Sequence, residues 1–200
     1  MIHAAAVERG GCAAILPAPP GSGKSTLCAA LVHRGWRLLT DELTLLHCQT
    51  KKIVPLARPV SLKNNSIQLM RNFAPQAVFG PAIHNTIKGT IAYMRPPAES
   101  VGQVDKPAMP KWVIFPKYNA GAPTTIQSLL RSQTFTRIAD SLVNYTVLGE
   151  SGFETLSSFI EGTDSYEFKY SNLDEAVAWF DGLMSLDVNN RNQERYANSV

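Results

Sequence analysis

Two hundred residues suffice for one domain with a substantial core, and 44% hydrophobic against 18% charged residues describe an ordinary globular chain, neither fibrous nor disordered. The net charge of +3 reads as small and dispersed, and it weighs neither for nor against nucleic acid as a partner. The apolar N-terminal run, Ala4 to Val7, is too short for a signal peptide and no later run is long enough to span a bilayer, so a cytoplasmic protein with no membrane partner is expected.

In chain order, Met1 to Val7 and Cys12 to Leu16 flank Glu8-Arg9-Gly10-Gly11, the pattern of a β-hairpin. A turn centred near Gly10 sets His3 opposite Pro17. Next comes Ala18-Pro19-Pro20-Gly21-Ser22-Gly23-Lys24-Ser25-Thr26, whose second half matches the phosphate-binding end of a P-loop. Alanine stands at position 18, where the pattern has glycine. Gly21, Ser22, Gly23, Lys24, Ser25 and Thr26 are therefore the candidate nucleotide-binding residues. Glycines let consecutive N–H groups turn toward phosphate oxygens, and the following helix adds its positive end. Lys24 is placed to reach the β- and γ-phosphates, and Ser25 to offer its hydroxyl to Mg²⁺. A helix is expected over Thr26 to His33, with Gly35 as its C-terminal cap.

Trp36 to Thr40 reads as a strand reached through that helix, hence parallel to the strand before the loop. Asp41 and Glu42 then lie at the same carboxyl edge of the sheet, where open α/β sheets bind ligands. Phosphoryl transfer needs a metal-supporting carboxylate and a group that handles the acceptor hydroxyl's proton. His3, Asp41 and Glu42 are the catalytic candidates, and Ser25 and Glu42 the metal candidates. The plainer alternatives are a solvated Glu42 beside a Walker B-type Asp41, and a terminal surface histidine at position 3.

Leu43 to Leu46 continues extended, Thr50-Lys51-Lys52 forms a polar turn, and Pro55 and Pro59 make Ile53 to Leu62 an edge strand or an irregular connection. A short helix is expected over Ser66 to Phe73, a break over Pro75 to Pro81, and strands over Thr86 to Met94 and Lys111 to Tyr118. Between those strands Ala98 to Pro110 reads as a loop. Thr125 to Asn144 has helical apolar spacing, Gly152 to Ile160 a shorter helical pattern, and Tyr166 to Tyr170 alternates as a strand. Asn172 caps a last helix, with Glu175 completing a capping box, to about Leu186. One domain over 1–186 and a polar tail over 187–200 are expected. Cys12 and Cys28 fall in predicted elements, which favours buried free thiols in a reducing compartment; with Cys48 they form no metal spacing.

His3, the loop with Lys24 and Ser25, Arg34-Gly35 and the acidic pair after Leu38-Leu39 resemble the HPr serine kinase/phosphorylase family in order and spacing. The likeness is closer to its HPr-kinase-related "kinase A" group, through Arg58-Pro59-Val60-Ser61-Leu62-Lys63-Asn64, Lys88-Gly89-Thr90, Arg95-Pro96-Pro97 and Phe115-Pro116-Lys117-Tyr118. It extends to Asn144-Tyr145, Gly152-Phe153 and Leu173-Asp174-Glu175-Ala176, and so covers most of the chain. The resemblance implies an α/β P-loop nucleotide-binding fold of the HPr kinase and phosphoenolpyruvate carboxykinase-like type, with a mixed central sheet and flanking helices. It further implies ATP and Mg²⁺ as cofactors, Asp41 handling the acceptor's proton and His3 beside the reacting phosphate. Glu42 stands where HPr kinases have a second aspartate, and their glycine-rich stretch after the acidic pair is only loosely echoed at Lys88-Gly89. Longer relatives carry an additional N-terminal domain, so the sequence reads as a short form or a fragment.

The expected function is ATP-dependent phosphoryl transfer to a serine or threonine hydroxyl of a protein or peptide acceptor, with no nucleic-acid partner and with homo-oligomerisation left open. A small-molecule kinase and a non-catalytic nucleotide-binding regulator are the alternatives, and no residue pattern selects ATP over GTP. Arg58, Lys63, Lys88 and Arg95 are candidates for gripping phosphate or an acidic substrate, with Lys88 and Arg95 foremost. Each reads equally as a solvated surface charge.

Overall fold

A computed structural model describes residues 1–184. Strands β1 (Ala4–Arg9) and β2 (Cys12–Pro17) form the predicted hairpin. Its register is Ala4↔Pro17, one residue from the expected His3↔Pro17. The reason is local: Gly10 and Gly11 both have positive φ, 61° and 85°, so the two-residue turn is centred between them rather than on Gly10. Helix α1 (Lys24–Val32) starts two residues earlier than its apolar spacing suggests. It ends as expected at Gly35, φ 95°, where Trp36 N–H donates to Leu31 O and Gly35 N–H to Val32 O in a Schellman motif.

Strand β3 (Arg37–Thr40) pairs antiparallel with β1. It therefore runs parallel to β2, as predicted, but β1 lies between the two. Short β4 (Leu45–Leu46) and β5 (Ile53–Val54) pair with each other. Pro55 and Pro59 fall in the irregular segment before β6 (Val60–Lys63). Helix α2 (Asn65–Phe73) follows, then β7 (Ile83–Thr86) and β8 (Gly89–Met94). The loop expected over Ala98 to Pro110 contains the single turn α3 (Ala98–Val101), whose Ser100 hydroxyl accepts from Leu38 N–H at 3.0 Å. Strand β9 (Met109–Tyr118) is longer than its prediction by two residues.

The helix expected over Thr125 to Asn144 is corrected in its first turn. Thr125–Ser128 is strand β10, paired antiparallel with β11 (Asp164–Tyr170), and helix α4 spans only Arg131–Ala139. Four exposed residues with an open backbone neighbour gain ladder hydrogen bonds that no helical spacing of Leu129 and Leu130 can offset. Helix α5 (Tyr145–Glu161) begins earlier than Gly152 and is interrupted at Gly149, φ 53°. The last helix, α6, occupies 173–184. Asn172 Oδ1 accepts from Asp174 N–H at 2.8 Å and Glu175 N–H at 3.1 Å, the predicted cap. The capping box does not form, because the Glu175 carboxylate takes the Thr124 hydroxyl instead, at 2.7 Å. The helix end near Leu186 and the tail over 187–200 lie outside the described residues.

The central six-stranded sheet has the order β10-β11-β9-β2-β1-β3 and is mixed: β2, β9 and β11 are mutually parallel, and the outer pairings are antiparallel. Strands buried on both faces read as unbroken apolar runs, which is why Ala4–Val7 and Cys12–Leu16 show no polar alternation. Alternate residues feed two cores. Ala5, Val7, Ala14, Leu16 and Trp112 pack with Leu27 and Leu31 of α1 and Phe180 of α6. Ala4, Ala6, Ala13, Ile15 and Val113 pack with Ile138 of α4 and Leu156 and Phe159 of α5. The smaller sheet β6-β8-β7 stands beside this sandwich. None of the three cysteines forms a disulfide; Cys12 and Cys28 are buried and Cys48 is exposed. No helix among the described residues is long and apolar enough to cross a membrane.

Candidate functional site

Because β1 is antiparallel to both β2 and β3, its beginning lies at the edge where they end. His3, the 18–23 loop and Asp41-Glu42 are thereby delivered to one place by backbone topology alone. The chain start is tied down there: Met1 ammonium donates to Asn144 Oδ1 at 2.8 Å, Ile2 and Thr44 exchange backbone bonds of 2.9 Å, and His3 N–H donates to Ser141 O at 2.7 Å.

The loop bends through two glycines in the left-handed region, Gly21 at φ 84° and Gly23 at φ 86°, and Gly23 is the N-cap of α1. Two tyrosines from the carboxyl ends of β9 and β11 hold its back. Tyr118 N–H donates to Ser22 O at 2.9 Å, and the Tyr170 hydroxyl donates to Gly23 O at 3.0 Å. Burial, and Tyr118 beside it, push the Tyr170 phenol far above its ordinary value, which keeps it a donor. Tyr170 lies in no motif of the sequence, and Tyr118 ends the Phe115-Pro116-Lys117-Tyr118 stretch of the resemblance without a role assigned to it there. Their placement follows from β9 and β11 running parallel to β2, which sets their ends at the loop.

Lys24 and Asp41 are both buried, at 8% and 7% exposure. Burial pushes the Lys24 ammonium down from its ordinary value, with Asp41 opposing. Burial pushes the Asp41 carboxyl up; the Ser25 hydroxyl, the Ser61 N–H and Lys24 pull the other way. Ser61 N–H donates to Asp41 Oδ2 at 3.1 Å, while Asp41 Oδ1 and the buried Ser22 Oγ have no hydrogen-bond partner. Among the described residues Lys24 makes no ion pair. A hydroxyl and a carboxylate oxygen are thus withdrawn from water without partners at one loop, beside a mostly buried lysine, a costly arrangement unless a polar guest completes it. Glu42 beside them is exposed, its backbone turn held by the Thr40 hydroxyl.

His3 is half-buried; burial and then Lys24 lower its pKa, with Glu42 opposing, so the imidazole is neutral at neutral pH. The charges of Lys63 and Lys88 also reach it. Arg95 lies elsewhere. Lys88 precedes β8 and Arg95 follows it, so the strand's length, about 20 Å, separates them. Arg58 is exposed near the Arg95 end.

No family model matches the chain. No curated protein matches it either. Among solved structures, the HPr(Ser) kinase/phosphatase from Coxiella burnetii aligns with 96% of this chain and 97% of its own, at 13% identity and a TM-score of 0.38. Overlap at that level leaves the site to be read from its own residues.

Among the described residues no three His, Cys, Asp or Glu cluster around a cation. The Ser25 hydroxyl and the Glu42 carboxylate offer a sparse oxygen set, of the type hard cations accept when they keep waters in their shell.

Proposed function

We propose that this protein binds ATP with Mg²⁺ through a P-loop at residues 18–26, and transfers the γ-phosphoryl group to a serine or threonine hydroxyl of a protein or peptide, in the manner of the HPr kinases. The observation that supports it best is a mostly buried Lys24 set with two buried, unpartnered oxygens, Ser22 Oγ and Asp41 Oδ1, around a loop bent by two left-handed glycines. A triphosphate supplies anionic oxygens for Lys24 and Ser22, and an acceptor alcohol supplies a proton for Asp41 Oδ1.

In this reading the acceptor oxygen attacks the γ-phosphorus, the bond from that phosphorus to the β,γ-bridging oxygen breaks, and ADP leaves with the electron pair. Asp41 Oδ1 takes the alcohol's proton. Its burial raises its basicity toward the range useful for a base. Ser61 N–H holds the other oxygen and so aims Oδ1. Lys24 and the loop N–H groups carry the charge on the transferring group. Ser25 and Glu42 would hold Mg²⁺, which would neutralise part of the phosphate charge. His3, neutral and next to these groups, hydrogen-bonds the transferring phosphoryl oxygens.

Lys24→Ala removes the only buried side-chain cation at the loop and is expected to weaken ATP binding at least tenfold, about 1.4 kcal/mol, measured by titration calorimetry. Unchanged affinity would refute the phosphate-loop assignment. His3→Ala is expected to lower the phosphoryl-transfer rate with ATP affinity and thermal midpoint preserved. An unaltered rate removes the imidazole from the chemistry. Incubation with γ-labelled ATP and a cell lysate tests the acceptor: label on a protein supports the proposal, label on a small molecule replaces the acceptor class, and no transfer favours a nucleotide-binding regulator.

A further inference from the structure

The segment from Leu43 to Ala98 contains seven of the chain's nineteen lysines and arginines and none of its sixteen aspartates and glutamates. The rest of the chain, with twelve cations against sixteen carboxylates, is net acidic. The small overall charge therefore hides a strong segregation, and the charge is not dispersed along the chain as the totals suggest. The cationic segment includes the whole β6-β8-β7 sheet, which reaches the site through Ser61 N–H on Asp41.

The two faces of this sheet differ in kind. Val60, Leu62, Ala92 and Met94 point into the core at 0–1% exposure. The alternating residues form the outer face. Register aligns Lys63 with Ile91 and Ile91 with Ile83 in one row across the three strands, about 10 Å wide, and Ser61 with Tyr93 in the next. Ile83 and Tyr93 are 51% and 45% exposed, and at the β7–β8 turn Ile87 is fully exposed beside Lys88. Arg95 closes the opposite end. Not every cation of the segment contributes: Lys51 is committed to the Thr155 hydroxyl, and Arg71 lies over the Phe79 ring.

We infer that this outer face is the platform on which the acceptor docks, and that its occupant is an acidic protein segment carrying an aliphatic anchor next to the hydroxyl to be modified. The inference rests on the phosphoryl-transfer reading for the word acceptor. Charge complementarity selects the occupant: a sheet with no carboxylate among its own residues, bordered by Lys63, Lys88 and Arg95 and met by Asp41 and Glu42 only at the β6 border, attracts anionic chains and repels basic ones. The exposed isoleucines between these cations favour a protein segment with an aliphatic side chain over a nucleic acid, whose bases would find only Tyr93 to stack on. Asp41 at the β6 border sets the distance over which the docked segment must deliver its hydroxyl.

The test uses the full chain without nucleotide, so that it does not depend on catalysis. Two fluorescent peptides share a central Leu-Ser and differ only in flanking glutamates or flanking lysines; a single-stranded RNA is the third probe. The glutamate peptide is expected to bind at least tenfold more tightly than the lysine peptide, with affinity falling as salt is raised. Ile87→Glu with Lys88→Glu, both at an exposed turn, is expected to remove that preference while the thermal midpoint stays within a degree or two; Ile83→Glu, on the strand itself, serves as the second variant. Equal binding of the two peptides, no binding by low millimolar concentration, or tighter binding of the RNA overturns the inference. So does a dimer in sedimentation that Ile87→Glu dissolves, since a second copy then covers the face. Glutamate-peptide binding without ATP binding leaves the platform standing and refutes the kinase reading; the reverse result refutes the platform alone.

Discussion

Asp41→Asn is expected to reduce phosphoryl transfer by at least ~10²-fold, the usual scale for a positioned base, while ATP affinity is retained because the phosphate contacts come from the loop. The same substitution is expected to stabilise the ligand-free protein. Burial holds the Asp41 carboxyl above its ordinary value, so the folded state binds that proton more tightly than the unfolded state does. The cost of the ionised carboxylate is therefore fully present above the folded-state pKa and disappears as pH falls through it. The asparagine has no such cost, and its thermal midpoint should exceed the parent's at neutral pH, by roughly 2–4 °C for each kcal/mol relieved, with the gap closing in acid. Melts at neutral and acid pH, alongside turnover, check both halves. Normal turnover would remove Asp41 as the base, and a lower midpoint at neutral pH would mean that the ionised carboxylate is structurally favoured.

Gly23→Ala should damage nucleotide binding more than the equivalent change at Gly21. Both glycines have φ near 85°, so either alanine carries backbone strain of about 1–3 kcal/mol. Only at Gly23 does the new methyl also collide, with its Cβ 2.5 Å from the Tyr170 hydroxyl and 2.9 Å from Tyr118 Cβ; at Gly21 it meets nothing within 4 Å. The tyrosines cannot withdraw, since Tyr118 Cβ is bonded directly to the backbone of β9 and Tyr170 is buried in the core. An affinity loss of roughly ten- to a hundredfold is expected for Gly23→Ala from that strain range, and a smaller one for Gly21→Ala. The reverse order in calorimetry would show that the tyrosine wall does not set the loop's shape.

Much of the local structure was readable because it is written in short-range chemistry. Gly35 as a left-handed helix stop, Asn172 as a helix start, and the prolines that break Ile53 to Leu62 into short β5, an irregular link and the edge strand β6 all act within a few residues. The Gly21-to-Thr26 stretch and the acidic pair after an apolar strand are legible for the same reason. Two readings failed within that range. A charge averaged over the chain conceals the carboxylate-free segment from Leu43 to Ala98, which only the distribution of charge along the chain reveals. Placing the hairpin turn on one glycine instead of two shifted the register by a residue.

What the sequence by itself determined is the set of reactive groups and the polarity of the elements that carry them: a glycine-bent loop before a helix, a lysine and a serine at its start, and carboxylates after the next strand. What only the tertiary structure decided is their environment. The insertion of β1 between β2 and β3 brings His3 to the loop, the parallel ends of β9 and β11 bring Tyr118 and Tyr170 behind it, and Ser61 reaches Asp41 from a strand twenty residues on. The pairing of β10 with β11 likewise overrides a helical pattern. Pairing partners and burial are properties of residues distant along the chain, and burial is what shifts the proton affinities of an otherwise ordinary lysine and aspartate.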